Sequence, residues 1–198
     1  MSLNTPKRLA AALLLCASST AMAGPVILGG DDLTDHGSRS SAGLNLQGWI
    51  YFEKAVNNVL GGKTRAGAIT TDIVALGSAS TLGVFTGSDA GAAIGSAALN
   101  LGRTVTYIDG AAAINLFFTN LAAGTINPRM LWIAGNGATN DIDSAEGAAL
   151  TANAAAINTF VASGGGLMSI RNKESELAVL PSKQWKHKSR TAKDLFMF

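Results

Sequence analysis

Residues 130–170 read MLWIAGNGATNDIDSAEGAALTANAAAINTFVASGGGLMSI. The stretch opens on an unbroken apolar run, Met130 to Ala134, and passes into a largely polar loop over residues 135–144. From Ala145 to Ala162 the chain is Ala-rich, with Leu150, Ala154, Ile157 and Val161 at three- and four-residue spacing, which is one face of a helix. Gly164-Gly165-Gly166 turns the chain, and Leu167 to Ile170 is a second apolar run. Two strands that are apolar throughout, joined by a helix, form a crossover unit of a parallel sheet covered on both faces.

The same grammar repeats upstream. Val26-Ile27-Leu28, near 26–29, predicts a first strand, stopped by Gly29-Gly30 and followed by the loop DDLTDHGSRSSAG. Leu46, Trp49, Phe52, Val56, Val59 and Leu60 share a helical face ended by Gly61-Gly62. Asp72 to Leu76 is the second strand, and Asp89 to Leu101 a small-residue helix stopped by Gly102. Thr104 to Ile108 is the third strand. Asp109 is placed to cap the next helix, whose face is Ile114, Phe117, Phe118 and Leu121, with Gly124 closing it. Five strands alternating with helices predict an α/β fold: a doubly wound, mostly parallel five-stranded sheet with helices on both faces. An Ala/Gly-rich β-solenoid is the other architecture this composition brings to mind, and the helical faces argue against it.

Residues 1–23 are expected to be a secretory signal peptide. Lys7 and Arg8 supply the positive start, Leu9 to Ala17 the apolar segment, and Ala21-Met22-Ala23 a small-x-small cleavage site, with Ala21 and Ala23 as its recognition residues. The apolar segment is too short to cross a bilayer as a helix. Leu15 stands before Cys16 where a lipoprotein signal needs a small residue. The expected location is outside the cytoplasm: secreted, periplasmic or on the cell surface. Ala111 to Ala123 is too short and too polar to be a transmembrane span.

Composition narrows the chemistry. The chain is 47% hydrophobic and 14% charged, too apolar for a disordered protein. Cys16 is the sole cysteine, so cleavage at Ala23 leaves no disulfide, thiolate nucleophile or cysteine metal site. Residues 24–170 hold six basic and ten acidic side chains, net −4, whereas 171–198 hold seven basic and three acidic, net +4. The basic balance therefore belongs to the two ends, and no nucleic-acid partner is expected.

The stretches VILGGDDLTDHG, WIYFEKAVNNVL and INPRMLWIAGNGATNDIDSAEGAALTANAAAINTFVASGGGLMS resemble a group of secreted bacterial proteins, many of which end in a PEP-CTERM sorting signal. Their domain is similar to the class I glutamine-amidotransferase-like, flavodoxin-like fold. The resemblance covers about residues 24–170 and implies fold and export. It does not imply amidotransferase chemistry, because that nucleophile is a cysteine. A Pro-Glu-Pro motif with a membrane helix and basic end is also absent from the sequence given.

In a doubly wound sheet, ligands bind beyond the carboxyl ends of the strands, near the switch in strand order. Two polar loops are expected there. One carries Asp31, Asp32, Asp35 and His36; the other carries Asn136, Asn140, Asp141, Asp143 and Glu146. If the first and fourth strands are neighbours, as in the resembled fold, these loops face each other. Asp31, Asp32, Asp35, Asn140, Asp141 and Asp143 offer oxygen donors of the kind that hold calcium or magnesium. A carboxylate with His36 is a candidate acid/base pair. The plainer account is structural: Asp143 and Glu146 fit a capping box, and Asn140-Asp141 a turn. Gly135-Asn136-Gly137 lacks the third glycine of a dinucleotide-binding loop, since Asn140 stands in its place. The expected function is a non-enzymatic binding module with a cell-surface or matrix partner. The rival is a metal-assisted hydrolase using the two acidic loops.

From Arg171 the composition changes. All 23 glycines precede it, and residues 171–198 contain five of the eight lysines. Two accounts are open: a basic surface tail or ordinary last helix, and a translation product that has left its original frame after the fifth strand. On either count the domain is expected to span 24–170, with 171–198 outside its designed core.

Overall fold

The computed structural model describes residues 23–29, 33–81, 83–135 and 139–170. Asp31, Asp32, Asn136, most of the expected signal peptide and residues 171–198 lie outside this set. The elements in order are β1 (Val26–Gly29), β2 (Gly37–Arg39), β3 (Asn45–Gln47), α1 (Gly48–Gly62), β4 (Thr71–Leu76), α2 (Ala90–Asn100), β5 (Val105–Ile108), α3 (Ala111–Ala122), β6 (Pro128–Ile133), α4 (Ser144–Ala152), α5 (Ala154–Ala162) and β7 (Gly166–Ile170).

The five strands read from apolar runs form one sheet in the order β1-β7-β6-β4-β5, and every pairing is parallel. The helices divide by direction of travel. The moves from β1 to β4 and from β4 to β5 go one way across the sheet, and α1 and α2 pack on one face. The moves back to β6 and β7 put α3, α4 and α5 on the other face. This is what right-handed crossovers require. The fold is α/β, doubly wound and flavodoxin-like, with its switch in direction between β4 and β6.

Alternation along each central strand feeds two cores. Ile73, Ala75, Met130, Trp132 and Met168 face α1 and α2, and Val74, Leu76, Leu131, Ile133 and Leu167 face α3 to α5. Each fully buried large side chain contributes about 1.5–3 kcal/mol over its exposed state. In the first core Trp49 and Trp132 are fully buried, and Phe52 meets Trp132 edge-on at 5.7 Å. The buried face of α2 is made mostly of small side chains, Ala90, Ala92, Ala93, Ala97 and Ala98, with Ile94 the one large side chain among them.

Four local departures from the sequence reading have physical causes. The polar loop after β1 contains the antiparallel hairpin β2–β3, with Arg39 opposite Asn45. Leu46 therefore lies on β3 and is exposed, outside the helical face assigned to it. The hairpin is polar on its inner side: Arg39 donates to Ser96 Oγ at 2.6 Å, the Ser96 hydroxyl donates to Asn45, and Asn45 Nδ2 donates to Glu53 at 2.7 Å. The long helix breaks at Asn153, whose side-chain amide donates to Ala149 O at 2.8 Å and competes with the backbone ladder. Finally, Gly110 rather than Asp109 stands at the N-cap of α3. No helix among the described residues is long and apolar enough to cross a membrane.

Candidate functional site

The carboxyl ends of β4 and β6 mark the switch point, and the loops beyond them are fastened together. Asn140 comes from the loop after β6 and reaches the loop after β4. Its Oδ1 accepts from Ala79 N at 2.7 Å, and its Nδ2 donates to Ala79 O at 2.8 Å. The side-chain amide thus imitates a paired strand. The same Nδ2 lies 3.3 Å from Asp89 Oδ1, and Ser78 Oγ donates to Asn140 O at 2.9 Å. Asn140 holds φ at 65°, a left-handed conformation that asparagine tolerates better than most residues. The approach is close: a Cβ on Gly91 would stand 2.3 Å from Asn140 Nδ2.

Ser88 is the second anchor. Its φ is 58°, again left-handed, and it precedes Asp89, the N-cap of α2, whose side chain accepts from Ala92 N at 2.8 Å. Ser88 Oγ donates to Asp35 O at 2.8 Å, while Ser88 O accepts from Thr139 N at 2.9 Å. Ala90 N then donates to Thr139 O at 3.0 Å. β1 and β6 are not neighbours, since β7 lies between them. The condition under which their loops would meet directly is not met. They are joined instead through Ser88, a residue that the sequence pattern left inside a Gly/Ser/Thr-rich connection. Serine gives no local sign of a positive φ, and the sequence reading only began a small-residue helix at Asp89 without assigning it a cap.

The expected oxygen donors have separate fates. Asp143 caps α4: its Oδ1 accepts from Glu146 N, and Glu146 Oε2 accepts from Asp143 N, both at 2.8 Å, so the capping box is formed. Asn140 is committed to Ala79. Asp35 and Asp141 each bury one carboxylate oxygen at this end of the sheet. Asp31 and Asp32 fall outside the described residues. Among the described residues no group of three or more His, Cys, Asp or Glu side chains is gathered to hold a metal ion. His36 is exposed, and its carbonyl accepts from Gly48 N at 2.8 Å.

One phenol completes the surroundings. Tyr107 on β5 donates to Gly91 O at 3.0 Å, and burial, reinforced by the nearby negative charge of Asp89, pushes its pKa up to about 12. The opposite, amino end of the sheet is closed by ordinary packing: Asp72 pairs with Arg129 at 2.6 Å, and Arg65 stacks over Phe160 while bonding Asn127 at 2.6 Å. Desolvation lowers the pKa of that guanidinium below its ordinary value. Compared with protein-family models, with curated proteins and with solved structures, the chain matches none.

Proposed function

We propose that the chain is exported and works outside the cytoplasm as a non-enzymatic binding module, taking its ligand at the carboxyl edge of the sheet. The observation that carries this reading is the meeting of Ser88 and Asn140. Both are non-glycine residues with positive φ, both lie at the switch point, and a continuous set of hydrogen bonds holds them. Backbone strain of this kind costs on the order of 1–3 kcal/mol per residue and gathers where a fold serves a ligand. Asp143 and Glu146 are engaged in capping, which leaves fewer carboxylates for hydrolysis than the sequence offered. The resemblance to secreted PEP-CTERM-type proteins agrees with this reading and supports export to the surface or matrix.

Two measurements test it. The protein recovered from outside the cytoplasm should begin at Gly24; recovery only from the cytosol with Lys7 and Arg8 still attached would overturn export. The mature chain should not turn over chromogenic esters, phosphate esters or glycosides in calcium or magnesium; turnover abolished by Asp141→Asn would overturn the non-enzymatic reading. The same sample, melted with and without calcium or magnesium, reports the ligand class. A Tm that rises with the ion and loses the rise in Asp35→Asn identifies a hard cation at this edge.

A further inference from the structure

The amino end of the sheet holds more positive charge than its packing uses. Residues 24–170 carry six basic side chains, and four of them, Lys63, Arg65, Arg103 and Arg129, lie at this end. The topology puts them there, because in a parallel sheet each crossover helix ends where the next strand begins. Lys63 is the C-cap of α1, and Arg65 N donates to Gly164 O shortly before β7. Arg103 lies between α2 and β5, and Arg129 is the second residue of β6. The described acidic residues gather mostly at the other end: Asp35 follows β1, Asp89 caps α2, Asp109 follows β5, and Asp141, Asp143 and Glu146 follow β6. A free anion is therefore drawn to the amino end and repelled from the carboxyl edge.

Asp72, the second residue of β4, stands at the centre of the basic group. Its Oδ1 meets Arg129 Nε at 2.6 Å and Arg103 Nη1 at 3.8 Å. Its Oδ2 accepts from Thr104 N at 3.1 Å and from Thr104 Oγ1 at 3.3 Å. Both carboxylate oxygens are thus engaged. One carboxylate cannot neutralise two guanidinium groups, so the cluster keeps a net positive charge. The Arg103 contact is also too long for a hydrogen bond. The Arg103 and Arg129 side chains are 40% and 32% exposed, and their outer N–H donors take no acceptor among the described residues.

We propose that Arg103 and Arg129 form an oxyanion site at the amino end of β4, β5 and β6, which takes a phosphate or sulfate group. The two guanidinium groups share one oxygen of Asp72, so they are held near each other with donors to spare. A tetrahedral oxyanion has enough oxygens to meet both forks at once, whereas a single carboxylate suits one fork. Lys63 and Arg65 add attraction at longer range. The site lies at the opposite edge from the one assigned to the ligand of the binding module, and it does not depend on that reading.

Backbone amide NMR of the mature, full-length chain tests it, with inorganic phosphate and sulfate titrated separately against sodium chloride at equal ionic strength. Saturable shifts are expected at the Asp72, Arg103, Thr104 and Arg129 amides, with no such response to chloride. Arg103→Gln should weaken both titrations by roughly tenfold, the worth of one charge-assisted bond. Arg103→Lys keeps the charge without the fork and should recover only part of the loss. Arg103 is the more exposed of the pair, and an unchanged spectrum of the free variant shows that the fold is kept. Phosphate should bind more tightly as rising pH removes its second proton, and sulfate should not, which separates the two groups. Shifts that chloride reproduces, or that never saturate, would overturn the proposal. So would saturable binding that Arg103→Gln leaves unchanged while lowering the Tm, since Arg103 would then serve the fold alone.

Discussion

Glu146 Oε1 accepts a hydrogen bond from the backbone N–H of Gly110 at 2.7 Å, which ties the first turn of α4 to the first turn of α3. The other oxygen, Oε2, closes the capping box on Asp143 N at 2.8 Å. One buried carboxylate therefore satisfies an orphan donor at each of two helix starts, where the helix dipoles favour negative charge. Glu146→Ala strands both donors and should cost about 2–4 kcal/mol in denaturant unfolding, since hydrogen bonds to charged groups are worth roughly 1.5–3 kcal/mol each. Glu146→Gln keeps one acceptor and should cost less. Equal stability of the alanine variant and the parent would refute this role.

Asn140 joins loops 61 residues apart. Asn140→Ala loses both bonds to Ala79 and places alanine at φ 65°, so a loss of about 2–3 kcal/mol is expected. Asn140→Gly should restore the part owed to φ and none of the part owed to the amide. Hydrogen exchange gives a local readout: the Ala79 amide should exchange much faster in both variants, while the Ile73 and Val74 amides of β4 stay protected.

Gly77, just past β4, holds φ at 78°, and an added Cβ would stand 1.9 Å from Ile142 Cγ2. Gly77→Ala should therefore cost at least about 2 kcal/mol, through strain and overlap together. Ile142→Ala in the same background removes the overlap and leaves the φ strain. Thermal unfolding of the two variants separates the terms, and no difference between them would show that the overlap is relieved elsewhere.

Tyr107 gives the alkaline limit a direction. Its folded pKa of about 12 lies above the ordinary value of 10.0, so the folded state holds the proton more tightly than the unfolded state. The stability linked to this group is complete below pH 10 and is lost as pH rises through about 12. Tyr107→Phe should flatten that alkaline decline while losing the bond to Gly91 O. Tyrosinate absorbance of the parent chain should show one late-titrating phenol that disappears in the variant.

Much of the fold was legible because it is written in local spacing. The strand at Met130–Ile133 and the helical face of Ile114, Phe117 and Phe118 each need only a few adjacent residues to declare themselves. Asp143 and Glu146 were readable for the same reason, as a cap acts within one turn. The β2–β3 hairpin was not legible, because its stabilising partners, Ser96 and Glu53, lie elsewhere in the chain and its leucines point outward.

The sequence by itself determined the five strands of the parallel sheet and most of the helical faces packed on it, because backbone propensity and hydrophobic period act over a handful of residues. Tertiary structure alone decided that β1 lies beside β7 rather than β6, and that Ser88 and Asn140 bring the polar loops together. Those outcomes depend on long-range pairing and on side chains meeting from distant parts of the chain. Two parallel strands of similar apolar character carry no local mark of which neighbour each will take.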